Sequence, residues 1–349
     1  MKYPNQGGAK MKKQTKKQLK RTSTIFIAFT AVVAVFLCYG IAGAVDEVNY
    51  RLKWLFNASV IGDIYAEDQG FFAEQNLKVT VKEGGPERDA IRELELGHAQ
   101  FGVASADQVI RAMAKGSPVI VIAQLFQVNP LHWIYRSNNM KIEKLEDLKG
   151  KIVGITFGGN DENIMRTLMA KANITENDIK VFSVRYDLTP FYQKKADVWP
   201  CYLNSQGVIL KQKLNKEGEQ VAFINPADYG VKFVANSVIT SAEVLEQDPD
   251  MVKRFVGALM EGWKASLDPA NEKKAMTTLR KYEKGTAEDV QIEQLAATRP
   301  LIQPTPATKI GAIDTDAWKQ TEQIMLKGNQ IKEPVQVENA LKPYPELYR

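Results

Sequence analysis

The sequence predicts an α/β protein of two lobes with a ligand cleft between them. Two series of short apolar runs alternating with amphipathic stretches predict it, together with an extended link after each series and a helical last third. In the first series, 50–56 reads as a strand, 62–74 as a helix and 77–82 as a strand; 88–96 is helical, 100–104 a strand, 107–115 a helix and 118–125 a strongly apolar strand. Strands separated by helices of this length imply right-handed βαβ units on a mostly parallel sheet. The second series repeats the layout: strand 151–156, helix 161–172, strands 179–183 and 196–199, helix 205–215 and strand 221–224. A strand at 231–239 precedes helices over 242–267, 272–282, 287–295 and 315–326, broken at Pro249, Pro269, Gly285 and Pro300–Pro306. Links near 131–138 and 227–234 divide the chain into lobe 1 (45–134 and 231–333), lobe 2 (135–230) and an extended tail (334–349). A small ligand between such lobes faces the carboxyl ends of the strands.

Of the 349 residues, 44% are hydrophobic and 25% charged, proportions that exclude a disordered chain and a polytopic membrane protein. The net charge of +5 is unevenly placed. Residues 1–44 hold eight Lys or Arg and no acid, and the remainder has 38 basic against 41 acidic residues. The basic character therefore belongs to the leader, and no nucleic-acid partner is expected. Lys12, Lys13, Lys16, Lys17, Lys20 and Arg21 precede an uncharged, mostly apolar stretch that ends in Ala42-Gly43-Ala44, the small-x-small pattern of an export signal. Cleavage after Ala44 and retention of 1–44 as an anchor both stay open. Either gives an exported protein, periplasmic or tethered to the outer face of the cytoplasmic membrane.

Cys38 and Cys201 are the only cysteines, so cleavage leaves one thiol and no intramolecular disulfide. The two histidines, His98 and His132, have no paired cysteines near them, and no metal or cofactor is called for. Gly158-Gly159-Asn160 lacks the G-x-x-x-x-G-K-[ST] spacing of a nucleotide loop.

Five ordered segments carry a family resemblance: LKWLFNASVIGDIYAEDQGFFAEQNLKVTVKEGG, ELGHAQFGVASADQVIRAMAKGSPVIVIAQLFQ, EKLEDLKGKIVGITFGGNDENIMRTLMAKANI, KADVWPCYLNSQGVIL and INPADYGVKFVANSVIT. The chain resembles solute-binding proteins of the thiamine-pyrimidine, sulfonate and nitrate importer group, over about residues 50–240. The resemblance implies a two-lobed periplasmic-binding-protein-like fold of type II. A related branch makes the thiamine pyrimidine from its own histidine and pyridoxal phosphate, and carries that histidine in the first-strand loop. Aligning Trp54, Asn57 and Gly62 places Val60 at that position, and the branch's cysteine-rich run is reduced to Cys201. Both departures oppose the synthase, and the missing histidine also weakens a pyrimidine assignment.

Within that architecture the candidate ligand contacts are as follows. Trp54, at the end of the first strand, and Asn57, which begins the loop after it, offer an aromatic face with a donor and an acceptor. Asp63 and Tyr65 open the next helix, where Asp63 either pairs with an exocyclic amine or serves the helix dipole. Ser105 and Asp107 sit at a strand-to-helix turn, Ser105 also fitting a helix cap. Gln124 and Phe126 end the apolar strand. Gly158, Gly159, Asn160 and Glu162 form either a ligand-binding helix start or a tight turn. Trp199, Tyr202 and Asn204 form the richest aromatic and polar cluster, and Tyr229 on the return link is a candidate lid. Asp63, Asp107, Asp161 and Glu162 oppose an anionic ligand, while the glycine turn favours one.

The expected function is capture of a small planar heterocycle, first a thiamine pyrimidine precursor, by hinge closure, and its delivery to the permease and ATPase subunits of an ABC importer. No catalysis is expected, and the chain is expected to be a monomer. A synthase-like enzyme, an exported ligand sensor and a sulfonate- or nitrate-type binding protein stay open as alternatives.

Overall fold

Leu77, Val79 and Val81 are buried while Lys78 and Thr80 stay exposed, a period of two that makes β2 (Leu77–Lys82) an edge strand with one core face. The computed structural model describes residue 1 and residues 45–349 except 86, 139 and 186. The expected leader, its cleavage site and Cys38 lie outside the described residues. β1 (Asp46–Arg51) runs parallel to β2 and to β3 (Phe101–Ala104), whereas β10 (Ser237–Ser241) lies antiparallel between β3 and β4 (Val119–Gln124). The first sheet is thus β2-β1-β3-β10-β4. The second comprises β5 (Leu131–Arg136), β6 (Ile152–Ile155), β7 (Lys180–Ser183), β8 (Val198–Tyr202) and β9 (Val221–Ile224), in the order β7-β6-β8-β5-β9. The expected two-lobed α/β fold is therefore present, one lobe built on each sheet.

Helices α1 (Ile61–Asp68), α2 (Ala90–Glu95), α3 (Ala106–Met113), α4 (Asn160–Lys171), α5 (Thr189–Tyr192) and α6 (Gln206–Lys216) connect the strands. The last third supplies α7 (Ala242–Gln247), α8 (Pro249–Leu267), α9 (Glu272–Tyr282), α10 (Glu288–Ile302) and α11 (Thr315–Lys327). Among the described residues no helix is long and apolar enough to cross a membrane. Asp248 caps α8 through the Met251 N–H, with Pro249 in the first turn where its missing donor costs nothing. The buried face of α8 carries Phe255, which stacks on Phe101 at 3.7 Å and on Phe72 at 5.2 Å, with Tyr50 edge-on. Two glycines let α8 lie close against α1. A Cβ on Gly62 would overlap the Trp263 indole, and one on Gly262 would overlap Ala66.

Several boundaries differ from the sequence expectations. β1 ends at Arg51, so Trp54 and Phe56 fall in the following loop instead of in a strand. The segment expected as the outward link is β5, and the chain crosses between the sheets at 125–130. Pro300 lies within the last turn of α10, which continues to Ile302. The expected surface tail at 334–349 is packed. Leu341 bridges Val121 on the β4 edge, and the buried Tyr348 donates its hydroxyl to the Ile122 carbonyl at 3.0 Å. These contacts cover an otherwise open sheet edge.

Candidate functional site

β6 runs parallel to both β7 and β8, so the carboxyl ends of all three point the same way. The loops leaving them enclose a cavity of about 280 Å³ in the second lobe. Thr156, Gly159, Asn160 and Asp161 line it from the β6–α4 loop, Val184, Arg185 and Leu188 after β7, and Trp199 to Tyr202 from β8, with Leu131 and Gln206 completing the wall. Three larger grooves, of about 770, 690 and 350 Å³, are more open to solvent; the second starts at Leu203 just after β8 and faces α10, and the other two lie away from these strand ends.

The β6–α4 loop owes its shape to Gly158, whose φ of +78° lies in the left-handed region. Its backbone donors are taken up internally. Asp161 accepts from the Thr156 N–H at 2.6 Å and Glu162 from the Gly158 N–H at 2.7 Å. The first-turn acids of α4 therefore occupy the anion-attracting groups that the glycine turn was expected to offer a ligand. Burial raises the Asp161 carboxyl to about 6, against the bonds that favour its charge. Asn160 points elsewhere. Its Nδ2 donates to Asp107 Oδ1 at 2.9 Å, a bond between one lobe and the other.

On the first lobe, Asp107 is buried yet held ionised. Burial is the largest influence and pushes its carboxyl up, but Lys53, Arg111, Ser105 and Asn160 together outweigh it and leave it below the ordinary range. Arg111 and the Ser105 hydroxyl both bond its oxygens, and Ser105 also forms the capping box of α3 with Gln108. Trp54, next in the chain to Lys53, lies in the loop after β1 and is 42% exposed. Asn57 has both ends of its amide engaged, accepting from the Ser59 N–H and donating to the Leu55 carbonyl.

The second-lobe aromatics divide by alternation along β8. Trp199 is buried against Phe182 and Phe191 and shows only part of its ring to the cavity, whereas Tyr202 is 40% exposed at the rim. Between them Cys201 is fully buried, and burial pushes its thiol up to about 12.

Of the sixteen candidates only Gly159, Asn160, Trp199 and Tyr202 line this cavity, and six of the other twelve are held elsewhere. Asp63 is in the first-lobe core, accepting from the Tyr50 hydroxyl at 2.7 Å and from Trp263 Nε1 at 3.2 Å; a carboxylate beside two aromatic donors is a core bracket, not a ligand contact. Tyr65 is buried against Phe71. Gln124 ties β4 to α11, its Oε1 accepting from the Asp314 N–H and Trp318 Nε1. Phe126 is buried in the first core. Asn204 donates to Thr298 of α10 at 2.9 Å, joining the lobes a second time. Tyr229 is half-buried against the second core. Sequence reasoning passed over Arg185, although it follows the β7 strand at the same strand-end position that singled out Gln124 and Trp199.

The family described as NMT1/THI5 like matches residues 57–294. A formylaminopyrimidine-binding protein of Halalkalibacterium halodurans is 24% identical over 85% of this chain and 90% of its own length. The riboflavin-binding protein RibY of Chloroflexus aurantiacus is 23% identical over 84% of each chain. Among solved structures, the periplasmic aliphatic sulphonate binding protein SsuA of Escherichia coli superposes with a TM-score of 0.67 at 16% identity, over 85% of this chain and 92% of that one.

Proposed function

The chain belongs to the NMT1/THI5-like family, and we propose that within it the protein is an extracytoplasmic solute-binding protein of an ABC importer. It captures a small planar heterocycle and hands it to the permease and ATPase subunits of its transporter. The observation that carries this reading is the cavity at the carboxyl ends of β6, β7 and β8, walled by Trp199 and closed toward the first lobe by the Asn160–Asp107 bond. A cavity of about 280 Å³ suits one substituted ring, such as a thiamine pyrimidine precursor, better than a tricyclic flavin with its side chain. Two relatives aligned over most of both chains are binding proteins by name, one for a pyrimidine.

Capture works by differential contact. A ligand seated on the second lobe while touching Asp107 or Trp54 of the first stabilises the closed arrangement by the contacts it makes only there. Binding without turnover agrees with the local chemistry. The Cys201 thiol stays protonated, and burial lowers the basicity of His132, whose Nδ1 is bonded to the Pro130 carbonyl. Val60, at the position of the synthase histidine, is buried in the first core.

A thermal-shift panel of hydroxymethylpyrimidine, formylaminopyrimidine, thiamine, riboflavin, taurine, nitrate and pyridoxal phosphate tests the reading. A bound ligand at a hundred times its dissociation constant adds about 2.7 kcal/mol, several degrees of midpoint. A shift with a pyrimidine and none with riboflavin is expected. A flat response to every pyrimidine ends the pyrimidine assignment, and an absorbance near 400 nm with pyridoxal phosphate (roughly, a Schiff-base signature) would move the protein to the enzyme branch.

A further inference from the structure

Every arginine among the described residues except one forms an ion pair with a carboxylate. The exception is Arg185, which is exposed and lines the second-lobe cavity. The acids around it are engaged elsewhere. Asp161 shares the cavity but holds the Thr156 N–H. Glu162 bonds Arg166 and the Gly158 N–H, and Asp107 bonds Arg111 and Asn160. Asp187, two residues on, accepts from the Thr189 N–H and forms no ion pair with Arg185. Asp63 is in the core beside Tyr50 and Trp263. The four acids that argued against an anionic ligand are thus satisfied by the protein itself, and the cavity keeps one unmatched cation.

A guanidinium presents five N–H donors in a planar fork that fits the oxygens of a carboxylate, sulfonate or phosphate. We propose that Arg185 receives an oxyanion of the ligand, so that the captured molecule is a planar ring bearing one such group, its ring on the β8 wall and its anion at the β7 end. The proposal deepens the heterocycle-capture reading of this same cavity and rests on it. An anionic group also fits the local charge, since a neutral ring leaves Arg185 with solvent as its only partner.

The test is calorimetric titration of the wild-type protein, Arg185→Gln and Arg185→Lys with three probes. These are 4-amino-5-hydroxymethyl-2-methylpyrimidine, its phosphate monoester, and benzenesulfonate as an oxyanion without the heterocycle. The wild-type protein is expected to bind the phosphate about tenfold or more tightly than the neutral alcohol, the scale of one charge-assisted contact. Arg185→Gln should erase that preference, weakening the phosphate about tenfold more than the neutral alcohol, and Arg185→Lys should restore part of it. Equal wild-type affinity for the two pyrimidines overturns the proposal and leaves heterocycle capture standing. Equal loss of both pyrimidines in Arg185→Gln overturns it too, because Arg185 would then act on the cavity's shape. Arg185-dependent binding of benzenesulfonate with no pyrimidine bound keeps the oxyanion role and ends the heterocycle reading. No binding of any probe ends both.

Discussion

Asp63 shows how far a residue's surroundings can move it from the role its type suggests. Burial raises its carboxyl from 3.8 to about 7, with the Tyr50 and Trp263 donors pulling the other way. Between those two values the native protein holds more protons than the unfolded chain, so this group's contribution falls as pH rises. It is full below the unfolded value and is lost as pH climbs through the folded one. Asp63→Asn keeps the neutral shape. Its unfolding midpoint should therefore vary less than the wild type's between about pH 4 and pH 8, a comparison that equal slopes would decide against. At this scale the sequence identified residue types well and orientations poorly. Asn160, Trp199 and Tyr202 line the cavity, but nothing local to Asp63 announces that Trp263, two hundred residues away, will claim it.

At the scale of elements, the crossing of α1 and α8 depends on Gly62 and Gly262 each lying under a side chain of the other helix. Neither position needs a left-handed backbone, so the requirement is space alone. Gly262→Ala should cost about 1–3 kcal/mol by overpacking, read as a lower urea midpoint at unchanged m-value; a neutral result would mean that the helices separate without penalty. Most helices were legible because their apolar faces recur at the helical period and their ends carry caps such as Ser105, Asp248 and Asp314. Strand boundaries were less legible where apolar residues serve a link. Leu125 is buried in the crossing itself and reads as an extension of β4, so the apolar pattern puts the link on the true strand β5, with its Trp, Ile and Tyr. The tail hid its role for another reason. Its single bridge and hydroxyl bond to β4 depend on a sheet edge laid down far earlier in the chain.

For the whole molecule, Asn160–Asp107 and Asn204–Thr298 join the two lobes. Asn160→Ala removes the first of these while Asp107 keeps Arg111. A hydrogen bond to a charged group is worth about 1.5–3 kcal/mol. The variant without ligand should therefore show a larger radius of gyration by solution scattering, and an unchanged radius would assign closure to the Asn204 contact instead. The position of β10 has a further consequence, for timing. A ribosome finishes β5 to β9 as one uninterrupted stretch, but β3 and β4 wait for a partner that is synthesised only after all of the second lobe. At about 5–20 residues per second, the stretch from Gln124 to Ser241 holds that gap open for roughly ten seconds. The first lobe is thus the last to lock, its β3 and β4 strands lacking their shared neighbour until Ser237–Ser241 has been made.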